Sequence, residues 1–258
     1  MPSLRHPEWH VLRISASQHR KLCQRLKDED TRLLLFFESD IRADYDPDDG
    51  ILVLRLMETA VHAGLRSIFV RHLWIQLYLC SSSGSDRTIS DLASNILPFS
   101  TGKVTLKPEP RPEHEAEGED QHGAADTLGS KHPDSQTRFR GTASPQFVLE
   151  VGYGQNALAL EQLARDYFEK GPDIKTVLTF KIPYKDPKER SDSGSSCRAA
   201  FCLYRGPERV YDDVAFRDDQ GHPTAGVSLR LLLTDFIPDD VLELLSPRRR
   251  RQVDRGRD

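Results

Sequence analysis

Residues 146–182 constrain the fold more than any other stretch. Gln146–Val151 (QFVLEV) and Lys175–Ile182 (KTVLTFKI) read as strands, and Asn156–Lys170 between them reads as a helix. In the helix, Leu160, Leu163 and Tyr167 share one face, while Glu161 and Arg165 form an i,i+4 pair on the other. Gly171-Pro172 ends it. A strand–helix–strand unit of this length implies parallel strands joined by a right-handed crossover. The fold class that follows is α/β, a mixed central sheet flanked by helices.

The remaining elements are read around that unit. Residues 17–29 form a surface helix through Leu22 and Leu26, and Arg32–Glu38 (RLLLFFE) reads as a strand. Asp44–Gly50 (DYDPDDG) reads as a turn and Ile51–Met57 as the strand after it. Over Thr59–Leu79 the stripe Val61, Leu65, Ile68, His72, Ile75, Leu79, widened by Leu73, Trp74 and Leu77, predicts a well-buried helix. Lys103–Lys107 reads as a strand. Pro108–Ser130 has almost no large apolar residue and reads as a disordered insertion, because it cannot bury enough surface to offset ordering. Arg198–Tyr204, Glu208–Phe216 and Ser228–Leu233 read as strands, and Asp235–Leu245 as a short helix.

Charge and cysteine content narrow the setting. The net charge of −4 hides an acidic stretch at 108–126 and a basic run, Pro247–Arg251. That run fits a solvated end, a nuclear-import signal or a phosphate-binding patch. Cys23, Cys80, Cys197 and Cys202 lack the paired spacing of a zinc site or a disulfide framework, which points to free thiols and an intracellular setting. No secretory h-region stands near Met1. The most apolar window, Leu65–Cys80, contains Arg66, Arg71 and His72 and is too short to span a bilayer, so no membrane association is expected. Oligomeric state is not legible.

Three motifs invite a functional reading. DYDPDDG has the wrong register for a calcium loop: counting from Asp44, the sixth position is Asp49 and the twelfth Arg55. Gly152–Ala157 (GYGQNA) fits the GxGxxA dinucleotide turn, but Glu150 would face the pyrophosphate and the next strand ends without an acid. The third is Pro133-Asp134 with Leu149-Glu150-Val151. Two carboxylates brought together on neighbouring strands make a hard-oxygen site suited to Mg²⁺ or Mn²⁺. The alternative is an exposed Asp134 and a Glu150 in a structural ion pair.

PDSQTRF, then PQFVLEVGYGQ, a helix, and KTVLTFKI resemble, in that order, the fungal PD-(D/E)XK nuclease-like family. The resemblance extends to YDPDDGILVLRLMETAVHAG and AFRDDQGHPTAGVSLRLLLTDF. It implies a restriction-endonuclease-like core over residues 45–245, interrupted by the insertion at 108–130. An N-terminal extension, 1–44, precedes it and a basic tail, 246–258, follows. It also implies Asp134 and Glu150 as metal ligands and catalytic acids, with Lys181 or Gln155 orienting a water for phosphodiester hydrolysis, on DNA. The departures are Gly152 where the ExK lysine belongs, Ala63 where the first helix carries a glutamate, and a late Phe139 after Pro133-Asp134. They leave open a catalytically degenerate module of the same fold that binds nucleic acid or protein. An isolated strand lysine such as Lys181 is also commonly a snorkelling edge residue.

Overall fold

The computed structural model describes residues 9–29, 32–33, 36–37, 41–56, 60–82, 86–99, 102–106, 129–153, 157–171, 173–183, 196–245 and 253. The chain divides into two compact units, Met1–Thr59 with Lys103–His132, and Ala60–Gly102 with Pro133–Asp258. This grouping cuts across the sequence reading of one domain over 45–245, because the hairpin at 41–56 packs with the N-terminal helix.

In the first unit the strands are β1 (Trp9–Arg13), β2 (Ile41–Asp46), β3 (Ile51–Leu56), β5 (Val104–Thr105) and β6 (Ser130–Lys131), in the order β1-β3-β2-β6-β5. Helix α1 (Ala16–Glu29) opens with a reciprocal cap: Ser15 N–H donates to Gln18 Oε1 (2.7 Å) and Gln18 N–H to Ser15 Oγ (3.3 Å). Ala43, Tyr45 and Leu52 form the core, with Leu22 and Ile14 packed against them. DYDPDDG is half strand: β2 runs through Asp46, whose Oδ1 accepts the N–H of Asp48 (3.0 Å) and closes the turn. The strand expected at Arg32–Glu38 is corrected, since its described residues, 32–33 and 36–37, are helical. A short apolar run does not by itself separate a strand from a helix. Most of the insertion lies outside the described residues, but its last two, Gly129 and Ser130, are buried, and Ser130 begins β6.

The second unit holds a six-stranded sheet. Its strands are β4 (Ile96–Phe99), β7 (Ser135–Phe139), β8 (Phe147–Tyr153), β9 (Thr176–Ile182), β10 (Ala199–Arg205) and β11 (Glu208–Arg217), in the order β11-β10-β9-β8-β7-β4. The helices are α2 (Ala60–Ser82), α3 (Arg87–Ser94), α4 (Ala157–Lys170) and α5 (Asp239–Glu243). As the sequence implies, β8 and β9 are parallel neighbours bridged by α4, and every other pairing is antiparallel. Gly171 ends α4 with its N–H on Tyr167 O (2.9 Å), and a Cβ there would collide with that carbonyl.

Alternation along the strands gives the sheet two unlike faces. Phe147, Leu149, Val151, Phe180, Phe201 and Leu203 pack with Leu73 and Leu77 of α2 in one large core. The intervening residues turn toward α4, where Leu160, Ala164 and Tyr167 are buried. Val253 joins the α2-side core at 1% exposure. The fold is therefore mixed α/β, with a sheet between helices.

Three expectations need correction here. Helix α2 is buried through Leu73 and Leu77, with Leu65 and Phe69 packed against the core, whereas Val61, Ile68, Ile75 and Leu79 of the expected stripe are exposed. Apolar residues run round the whole helix, so spacing alone does not select its inner side. Residues 228–232 form no strand, and a 3₁₀ turn follows at Leu233–Phe236. Val227, Leu229, Leu231 and Leu233 still pack alternately against the core, so the period is real but no ladder forms. The helix expected at Asp235–Leu245 is confined to α5.

Candidate functional site

Asp134 stands one residue before β7, next to Ser135, which pairs with Leu149 of β8. Its side chain is fully buried, and its Oδ2 accepts the backbone N–H of Val151 at 2.5 Å. His62 of α2 brings Nε2 to 3.5 Å from the same oxygen. A carboxylate held by a peptide N–H and an imidazole is compensated, which offsets much of its burial cost. The reading of Asp134 as exposed is thereby excluded.

Glu150 lies in the middle of β8 at 1% exposure, and its Oε1 accepts the Tyr167 hydroxyl of α4 at 2.6 Å. Asp134 is thus tied through His62 to α2, and Glu150 through Tyr167 to α4. Among the described residues, no group of three His, Cys, Asp or Glu side chains is arranged to hold a metal ion.

Gly152 is a strand residue of β8 paired with Lys181, so the first glycine of GYGQNA belongs to the ladder. Gln155 lies outside the described residues. Lys181 stands directly across from Gly152, and Thr179 directly across from Glu150, all on the α4 side. Gly152, where the resemblance would have a lysine, is thus flanked by a lysine from the next strand.

No local pattern marks His62 or Tyr167 as partners of the acids. His62 lies outside the apolar stripe of its helix, and Tyr167 reads as a stripe residue of its own. A further buried acid, Asp235, was also missed. It binds Arg205 Nε (2.6 Å), Thr176 Oγ1 (3.1 Å) and Leu232 N–H (2.7 Å), and the carboxylate holds the guanidinium above its ordinary pKa. This group locks the turn at 233–236 onto β9 and β10 and is structural.

No described helix is long and apolar enough to cross a membrane. Compared with protein-family models, curated proteins and solved structures, the chain matches none.

Proposed function

We propose that the second unit is a PD-(D/E)XK nuclease-like module that retains the family's acids as structural groups and binds nucleic acid, DNA first, without cutting it. Support for the family reading comes from the placement of the motifs. Pro133-Asp134 leads β7, Glu150 lies on its antiparallel neighbour β8, α4 follows, and Lys181 lies on the parallel strand β9. The sheet is mixed and flanked by helices, as such a core requires. One observation carries the non-cutting part: each acid is engaged by protein donors, Asp134 by Val151 N–H and His62, Glu150 by Tyr167. Acids committed in this way have less capacity left to share a cation.

The second reading is a metal-dependent phosphodiesterase, and the register of Lys181 with Gly152 favours it. Asp134 and Glu150 would then hold Mg²⁺ or Mn²⁺, which lowers the pKa of a bound water. Lys181 would orient that water from the neighbouring strand.

One experiment separates the two. The full chain is melted with and without Mg²⁺ or Mn²⁺, and incubated with supercoiled plasmid under the same conditions. The binding reading expects a salt-dependent mobility shift of DNA, no cleavage, and no metal-induced rise in Tm. Cleavage that is lost in Glu150→Gln overturns it in favour of the hydrolase.

A further inference from the structure

On the α4 side of the six-stranded sheet, β9, β10, β11 and the first half of α4 line a small cavity of about 40 Å³ that opens directly to solvent. Thr179 and Cys202 face each other across β9 and β10 in its floor. The next row is Gly152, Lys181 and Ala200, so the lysine is flanked by residues with no side chain beyond Cβ. The wall acids are matched by arginines: Glu161 pairs with Arg165 and Arg209, Asp212 with Arg209, and Asp213 with Arg198. Lys181 has no ion-pair partner among the described residues. Thr179, at 2% exposure, makes no side-chain hydrogen bond among them either. Among the described residues, a lysine without an ion-pair partner and a buried threonine without a side-chain hydrogen bond therefore line the same opening, a pairing suited to an anionic group.

The cavity also holds a nucleophile. Cys202 Sγ accepts the backbone N–H of Asp213 at 3.2 Å. Asp213 adopts φ +47°, and Arg198 holds both its carbonyl (2.7 Å) and its carboxylate (2.7 Å). The register between β10 and β11 shifts at this point, between Phe201 and Leu203. Cys202 Sγ thus has one backbone donor and shares the opening with the Lys181 side chain. Burial and the neighbouring Cys202 push the Tyr204 phenol above its ordinary pKa, so at neutral pH it remains a donor beside the sulfur.

We propose that this cavity is a thiol–disulfide exchange site for a small disulfide bearing carboxylates, held by Lys181 and Thr179 and attacked by Cys202. The Cys202 thiol gives its proton to water, and the thiolate attacks one sulfur of the incoming disulfide. That S–S bond breaks as a new one forms to Cys202. The other half leaves as a thiolate and takes up a proton. Cys202 is oxidised, the departing half is reduced, and no further reagent is needed. The site shares Lys181 with the hydrolase reading but uses neither Asp134 nor Glu150, and its test reads thiol reactivity instead of cleavage.

The test uses the native full chain with two disulfides, dianionic 5,5′-dithiobis(2-nitrobenzoate) and neutral 2,2′-dithiodipyridine, with peptide mass mapping of all four cysteines. Cys202 is expected to react with the dianion about tenfold faster than Cys23, Cys80 or Cys197. Lys181→Met should slow the dianion by roughly tenfold and leave the neutral reagent within about twofold, the Coulombic effect of one nearby charge. Should Lys181→Met not fold, 0.5 M salt on the native chain reads the same charge, slowing the dianion alone. Cys202 reacting no faster than the other three overturns the proposal. So does an equal effect, or no effect, of Lys181→Met or salt on both reagents.

Discussion

The two faces of the six-stranded sheet are built from alternate residues of the same strands, yet they differ in kind. Toward α2, β8, β9 and β10 present Phe147, Leu149, Val151, Leu178, Phe180, Phe201 and Leu203, all in one core. Toward α4 the same three strands present Val148, Val177 and Tyr204 together with Glu150, Gly152, Thr179, Lys181, Ala200 and Cys202. The first face supplies stability, since hydrocarbon burial is additive and undemanding of direction. The second mixes buried hydrocarbon with polar groups, each of which needs a partner or an opening. Whatever chemistry this unit performs is expected on the face that carries those polar groups.

Substitutions on each face test this division. Phe180→Ala should cost about 3–5 kcal/mol in chemical denaturation, because it leaves a cavity among Phe69, Phe201 and Phe216. A cost under about 1 kcal/mol would dissolve the contrast. Tyr167→Phe deletes only a hydroxyl but removes a donor from buried Glu150, and should cost roughly 1–3 kcal/mol by the same measurement. On α2 itself, Ile68→Lys should stay within about 0.5 kcal/mol, since Ile68 is 58% exposed. Leu77→Ala on the same helix should cost about 2–5 kcal/mol.

The smallest effect is electrostatic. Arg209, then Arg165, hold the Glu161 carboxyl below its ordinary pKa. A depressed carboxyl stabilises the fold above its unfolded value, about 4.3, and that contribution is lost as pH falls through the lower folded value. Thermal melts between pH 5 and pH 3 should therefore show a shallower acid loss in Glu161→Gln than in the native chain. Identical slopes would remove Glu161 from the account.

The strand–helix–strand unit was legible because each signal in it is local: alternation in QFVLEV, the Leu160–Tyr167 stripe, and the Gly171 stop. Helix α2 was legible as a helix and not in its orientation, since Leu65, Phe69, Leu73 and Leu77 compete with Val61, Ile68, Ile75 and Leu79 at the same period. Asp134 and Glu150 could be singled out as strand-associated acids. Their partners could not, because His62 and Tyr167 reach them only through packing. The Gly152–Lys181 register and the Arg205–Asp235 pair are likewise products of sheet assembly, with no local mark in the sequence. The resemblance to the nuclease-like family bears on the order of these elements and says nothing about which donors occupy the acids.

Val253 changes how the C-terminal region should be handled. It follows the arginine run 248–251 in the sequence and is itself buried in the α2-side core. A shortened chain ending at Leu245 would discard more than a basic appendage. It would unplug a valine side chain, whose burial contributes about 1.5–3 kcal/mol, and expose the lining it leaves. An affinity tag fused just after the arginines in place of residues 252–258 would do the same. Loss of DNA binding in such a truncation would therefore confound charge with folding, and neutralising the four arginines in the full-length chain is the cleaner comparison.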